Sequence, residues 1–210
     1  MATTTPNYGW AVPTSTDLVK DGATAIETLG DSIDASMFTA LGTKKAGMVL
    51  LNTTSFSAVA SQSITSVFSS TYDNYAIKLN FDPLTTTAQN VLLRLRTASD
   101  DSGANYYQSG FFNSSSSSSF VGEANTGQTS FATTYVTTTA GNYATSNIEL
   151  FAPNLARPTM FQSFNLRQEG TNSVQLYRLG GLNTTTQYTG FTFFVTTTMT
   201  GTVSVYGFNK

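Results

Sequence analysis

The sequence predicts a mainly β protein: an antiparallel β-sandwich or jelly-roll-like domain, preceded by an extended arm and one short helix. Three observations predict it. Ser and Thr supply about 29% of the 210 residues while only 10% are charged, against about 25% charged in an ordinary domain. A surface kept soluble by hydroxyls and rich in Thr favours strands. After Gly47 the apolar residues recur with a period of two, broken by turn residues, in eight to ten short segments. No stretch with helical period separates those segments, which disfavours a parallel α/β sheet. The hydrophobic fraction of 40%, with 15 Phe and 10 Tyr, is too high for a disordered chain and sufficient for a thick core.

Taken in order, residues 1–13 hold Pro6, Gly9 and Pro13. These are too many breakers for a helix, so an extended arm is expected. A helical stem is expected over 14–41. Thr14-Ser15-Thr16-Asp17 fits a capping box, and Asp17 and Asp21 suit the positive end of a helix. Val19, Ile26 and Ile33 are spaced by seven, Gly22, Leu29 and Ser36 form a companion seam, and Lys20, Glu27, Asp31 and Asp34 make the polar face. Two internal glycines weaken such a helix when isolated, so it needs a partner surface. That surface is either its own β domain or, for an Ile-rich seam, a short three-stranded coiled coil through Val19, Ile26, Leu29 and Ile33.

The segment Gly42-Thr43-Lys44-Lys45-Ala46-Gly47 divides the chain, and a β domain is expected over 42–210. Tyr75–Phe81 alternates cleanly and stops at Asp82-Pro83; Val91–Arg96 places Arg94 and Arg96 opposite its apolar side. Ile148 and Leu150 flank Glu149, which is expected on the outer face, and Ala152-Pro153-Asn154 closes that strand. Further strands are expected at Val49–Phe56, Phe131–Val136, Met160–Arg167, Val174–Leu179, Phe191–Val195 and Val203–Phe208. Ser114–Ser119 reads as an exposed flexible loop, and Gly180-Gly181 as a hairpin turn or bulge.

Composition also removes mechanisms. The chain has no His and no Cys, so a Ser-His-Asp triad, a Cys nucleophile and the usual zinc ligand sets are excluded. A net charge of −2 offers no basic stripe for nucleic acid. The longest apolar run, Met48–Leu51, is far too short for a membrane span. The opening residues lack a basic region followed by an apolar stretch, so no signal peptide is expected. A two-carboxylate glycosidase survives the loss of His, yet Asp73, Asp82, Asp100 and Asp101 sit in turn-like contexts. Asp100-Asp101 lacks the alternating ligands of a calcium loop, and Gly180-Gly181 lacks the Lys of a phosphate loop. No enzyme activity, cofactor or metal is expected.

Two groups of side chains remain as binding candidates. Tyr106-Tyr107 and Phe111-Phe112 are adjacent pairs whose members face opposite ways in a strand. The outward rings would meet either a neighbouring subunit or the face of a sugar. In the arm, Asn7, Tyr8, Gly9 and Trp10 combine large low-entropy side chains with a flexible glycine. Trp10 is the only Trp, and a partner groove, or else the nearby helix or its own β domain, must cover it.

The opening Thr3-Thr4-Thr5-Pro6-Asn7-Tyr8-Gly9-Trp10-Ala11-Val12-Pro13-Thr14-Ser15-Thr16-Asp17-Leu18-Val19-Lys20-Asp21-Gly22-Ala23-Thr24-Ala25-Ile26 resembles the amino-terminal segment of tailed-bacteriophage virion proteins, fibre and minor tail proteins in particular. The ending, Tyr188–Phe194 followed by Thr200–Gly207, is similar to the terminal β-hairpin of phage fibre and head-decoration domains. The resemblance implies a non-enzymatic structural protein of the virion, on capsid or tail. It implies a homotrimer anchored to other phage proteins through residues 1–15, with Asn7, Tyr8, Gly9 and Trp10 as the anchor and the helix as a trimeric stem. The alternative is a tail-fibre module that recognises a host-surface glycan.

Overall fold

The computed structural model describes residues 3–14, 18–41 and 47–209. They form two compact units, Met1–Ala46 and Gly47–Lys210.

In the first unit the arm is not merely extended. Strands β1 (Thr3–Thr4) and β2 (Ala11–Val12) pair antiparallel, with Thr3 opposite Val12 and Thr4 opposite Ala11. Gly9 closes the loop at φ +66, a left-handed conformation that glycine adopts without strain. Its N–H donates to the Thr5 carbonyl at 3.0 Å, and the Thr5 N–H donates to the Trp10 carbonyl at 2.9 Å. The helix starts later than the capping box suggests. A 3-10 turn at Val19–Asp21 leads into α1 (Gly22–Leu41), and Leu18, extended at φ −70 and ψ 136, supplies no side-chain cap. Thr14 lies outside the helix, and Ser15, Thr16 and Asp17 fall outside the described residues, as does most of the Gly42–Gly47 divide. Along α1 the hydroxyls of Thr28, Ser32 and Thr39 donate to carbonyls one turn back, at 2.8–2.9 Å. Its hydroxyl-rich flank is thereby satisfied within the helix itself.

The second unit is one antiparallel sheet folded over into a nearly closed, barrel-like sandwich. Its strands are β3 (Met48–Ile64), β4 (Asn74–Phe81), β5 (Gln89–Arg96), β6 (Tyr106–Ser114), β7 (Val121–Gln128), β8 (Phe131–Val136), β9 (Ala144–Phe151), β10 (Thr159–Glu169), β11 (Asn172–Leu182) and β12 (Gly190–Phe208). The order is β7-β6-β11-β10-β9-β4-β12-β5-β8, with β3 also on β12. The two carboxy-terminal segments expected as separate strands of a hairpin are one strand. The first part of β12 pairs with β5, from Gly190 opposite Arg96 to Phe194 opposite Leu92. The second part pairs with β4, from Gly201 opposite Phe81 to Gly207 opposite Tyr75. Between them the β3 register slips from Phe194–Ser61 to Met199–Val59. Gln89 fills this bend: its Oε1 accepts from the Thr196 N–H at 2.9 Å and the Thr196 hydroxyl at 2.8 Å. Its Nε2 donates to the Thr197 hydroxyl at 3.1 Å. A run that reads as a turn is therefore a bulged bend carrying one strand from layer to layer.

The core lies between the layers. Phe131 of β8 stacks on Phe161 of β10 with ring centres 4.3 Å apart, and meets Tyr106 edge-on at 4.8 Å. Phe56, Phe81 and Phe193 cluster nearer the bend. Gly180 and Gly181 are interior positions of β11 rather than a turn. A Cβ on Gly180 would stand 2.0 Å from the Tyr107 carbonyl oxygen, so only glycine lets β6 and β11 approach this closely. The serine run joins β6 to β7 and is exposed except for half-buried Ser114. It is tied down rather than loose: the Asn113 amide donates to the carbonyls of Ser117 at 3.1 Å and Ser119 at 2.9 Å.

Candidate functional site

In the first unit, the helix buries one flank and leaves another open. The β2 segment Ala11-Val12-Pro13 faces Asp21, Thr24, Ala25 and Thr28 across a groove of about 410 Å³. The Trp10 indole N–H donates to the Ser36 hydroxyl at 2.9 Å. Trp10 is therefore half-buried against its own helix, the covering that the alternative reading of the arm anticipated. Tyr8 stacks on its ring at 5.1 Å but remains 72% exposed, and Asn7 and Gly9 are exposed with it at the hairpin tip. Turning 100° per residue, the hairpin covers a flank roughly 80–160° away from the Ile26–Ile33 line. On that line Val19 is 97%, Ile26 65% and Met37 54% exposed, while Leu29 and Ile33 are half-buried.

In the second unit, the adjacent aromatics separate by strand parity. Tyr106 points inward and is fully buried, its hydroxyl donating to the Asp101 carbonyl at 2.9 Å and accepting from the Leu95 N–H at 3.1 Å. It is a core residue and cannot contact a glycan or a subunit; the expectation for it is corrected here. Tyr107 is half-buried and its hydroxyl points at the Met160 sulfur, 3.7 Å away. Phe111 lies on the outer face in a row that runs across the strands. Phe164 is opposite Tyr177 and Tyr177 is opposite Phe111; Phe120 meets Phe111 edge-on at 5.5 Å. Leu179, Met160 and Leu166 extend this patch, each more than 40% exposed. Glu149 is on the same outer face, as expected, and accepts from the Gln162 amide at 2.7 Å. Phe112 turns the other way, into the end of the sandwich.

That end holds a charged group that sequence reasoning passed over. Arg178 is 4% exposed. Its guanidinium donates to both oxygens of Glu123, to the Thr133 carbonyl, and to the Asn90 side chain at 3.3 Å. Beside it a cavity of about 240 Å³ is walled by Phe112, Leu176, Tyr135, Asn90 and the two arginines Arg167 and Arg178. Arg167 lies over the Tyr135 ring at 4.7 Å. A signal for Arg178 existed: it shares the parity of Val174, Leu176 and Leu182, the core-facing side of β11.

Asp100 and Asp101 are not a plain solvated turn. Asp101 accepts from the Tyr188 hydroxyl and from the Gly103 N–H at 2.9 Å; Asp100 accepts from the Thr192 hydroxyl at 2.6 Å. Burial first, and then the Asp101 carboxylate, push the Tyr188 phenol up to about 12. Burial likewise raises Tyr106 and Tyr75. Among the described residues, no three carboxylates gather closely enough to hold a metal ion, and no helix is long and apolar enough to cross a membrane. No family model matches this chain, and no curated protein or solved structure matches it significantly.

Proposed function

We propose that the chain is a non-enzymatic structural protein of a tailed-bacteriophage particle. In this reading it assembles as a homotrimer through α1 and attaches to other virion proteins through its amino-terminal hairpin. The observation that carries the trimer is the apolar stripe on α1, which the hairpin leaves uncovered. Fully burying one large aliphatic side chain is worth about 1.5–3 kcal/mol, so three copies have a strong reason to bring Val19, Ile26, Ile33 and Met37 together. Ile26 and Ile33 share one seam position and Gly22, Leu29 and Ser36 the other; the three-fold number itself comes from the resemblance of the opening segment, and Gly22 and Gly30 permit close approach. The outer row of Phe164, Tyr177, Phe111 and Phe120 offers a second apolar contact, of the kind enriched where subunits meet.

The virion assignment rests on the resemblance of the opening segment, together with a hairpin that presents Asn7, Tyr8 and Gly9 at an exposed tip. Trp10 then serves the anchor indirectly, by holding the hairpin to α1. Two experiments test the reading. Ile26→Asp should convert the trimer to monomer in sedimentation, because three carboxylates would face one another in an apolar seam. A monomeric wild-type chain overturns the assembly. Deleting residues 2–12 should leave a folded trimer that no longer joins particles. Incorporation of the truncated chain at normal copy number overturns the anchor.

A further inference from the structure

The cavity beside Arg178 has a composition that the assembly does not call for. The two arginines on its wall are satisfied very differently. Arg178 is neutralised within the fold by Glu123 and by two further acceptors. Arg167 is not. Its Nε–H is buried with no partner. Among the described residues its guanidinium makes one hydrogen bond, from Nη2 to Glu169 at 3.2 Å, and that carboxylate is 53% exposed at the rim. A guanidinium N–H kept from water without an acceptor is costly, and charged donors make the strongest bonds when an anion supplies one.

The rest of the wall restricts what that anion can be. Among the residues that line the cavity, Arg167 and Arg178 against Glu123 leave one positive charge, which Glu169 at the rim offsets until an incoming anion displaces it. Phe112 and Leu176 give an apolar surface on which a ring can lie, and the Glu123 oxygens and Asn90 amide can exchange hydrogen bonds with hydroxyls. A volume of about 240 Å³ corresponds to roughly eight waters at about 30 Å³ each, the scale of one sugar ring. Pockets of this kind, mostly apolar with a few placed polar groups, are typical of the mouths of barrel-like sheets. We infer that this cavity binds a small hydroxylated carboxylate of the sugar-acid class. The carboxylate sits on Arg167 in place of Glu169, the apolar face of the ring lies on Phe112 and Leu176, and the hydroxyls reach Glu123 and Asn90. This inference goes beyond the assembly proposed above and is tested separately from it.

The test is titration of the full chain with sodium glucuronate, glucose and sodium sulfate, following the arginine Nε–H signals by NMR. Glucuronate should move the Arg167 signal saturably, and glucose at the same concentration should leave it in place. Glu169→Gln removes the competing carboxylate and should tighten glucuronate binding severalfold. Arg167→Gln should weaken it roughly tenfold or more while the melting temperature stays close to wild type. The inference is overturned if glucuronate leaves the Arg167 signal unmoved, or if glucose binds equally well. Sulfate binding as tightly as glucuronate would make this a plain anion site and would also overturn it. If Arg167→Gln does not fold, Glu169→Gln decides alone, and unchanged affinity in that variant refutes the geometry.

Discussion

Replacing Arg178 with Met tests whether the end of the sandwich is held by a buried ion pair. The Arg178 side chain is 5% exposed, and that of its partner Glu123 is 23% exposed. Arg178→Met removes the cation paired with Glu123 among the described residues and strips the Thr133 carbonyl, in a residue with no exposure, of its side-chain donor. Breaking a buried pair on one side costs about 3–5 kcal/mol. The partial exposure of Glu123 places this case near the lower end, at about 3 kcal/mol. At 2–4 °C per kcal/mol for a domain of this size, the melting point should fall by about 6–12 °C. Adding Glu123→Met removes the stranded carboxylate, so the double variant should recover about half of the loss and leave mainly the orphaned carbonyl. Thermal and urea unfolding at one fixed protein concentration measure the cycle, since assembly would otherwise shift the midpoint. A single variant within about 1 kcal/mol of wild type, or losses that simply add, would refute the reasoning.

Three further outcomes are expected. Gly180→Ala sets a Cβ 2.0 Å from the Tyr107 carbonyl oxygen and 2.7 Å from the Gln108 Cα. Because both are backbone, it should cost about 1–3 kcal/mol in urea unfolding, and wild-type stability would show that the strands do not approach so closely. Shortening Ser114–Ser119 to two residues should cost under about 1 kcal/mol, since the bonds lost are exposed and loop entropy varies slowly; a drop in the midpoint worth more than about 2 kcal/mol would mean the run is packed. Alkaline stability follows from the buried phenols. Unfolded Tyr188 ionises near 10, whereas the folded phenol is held up to about 12, so its contribution is complete below pH 10 and fades as pH rises toward 12. The slope is about 1.4 kcal/mol per pH unit for each such tyrosine. Melting curves read beside tyrosinate absorbance check this, and a flat midpoint from about pH 10 to 11.5 contradicts it.

The mainly β class, most of the strands and the inward or outward parity along them were legible in the sequence, because alternation is a property of each strand alone. Tyr75–Phe81 and the outward placement of Glu149 follow from period two without knowledge of any neighbour. The seven-residue spacing of Val19, Ile26 and Ile33 was legible for the same reason. Whatever depended on a second segment was not. Thr196-Thr197-Thr198 separates two alternating segments, and Gln89, more than a hundred residues earlier, hydrogen-bonds the bend that joins them within β12. Gly180-Gly181 looks like punctuation until β6 is laid against it. Tyr106 and Tyr107 are alike in sequence, and the pairing of β6 with β11 and the packing of β8 across the core decided which ring is buried. Trp10 is settled by Ser36, and Arg178 by Glu123. In each case the deciding contact has its partner far along the sequence, where the local pattern of the chain carries no information about it.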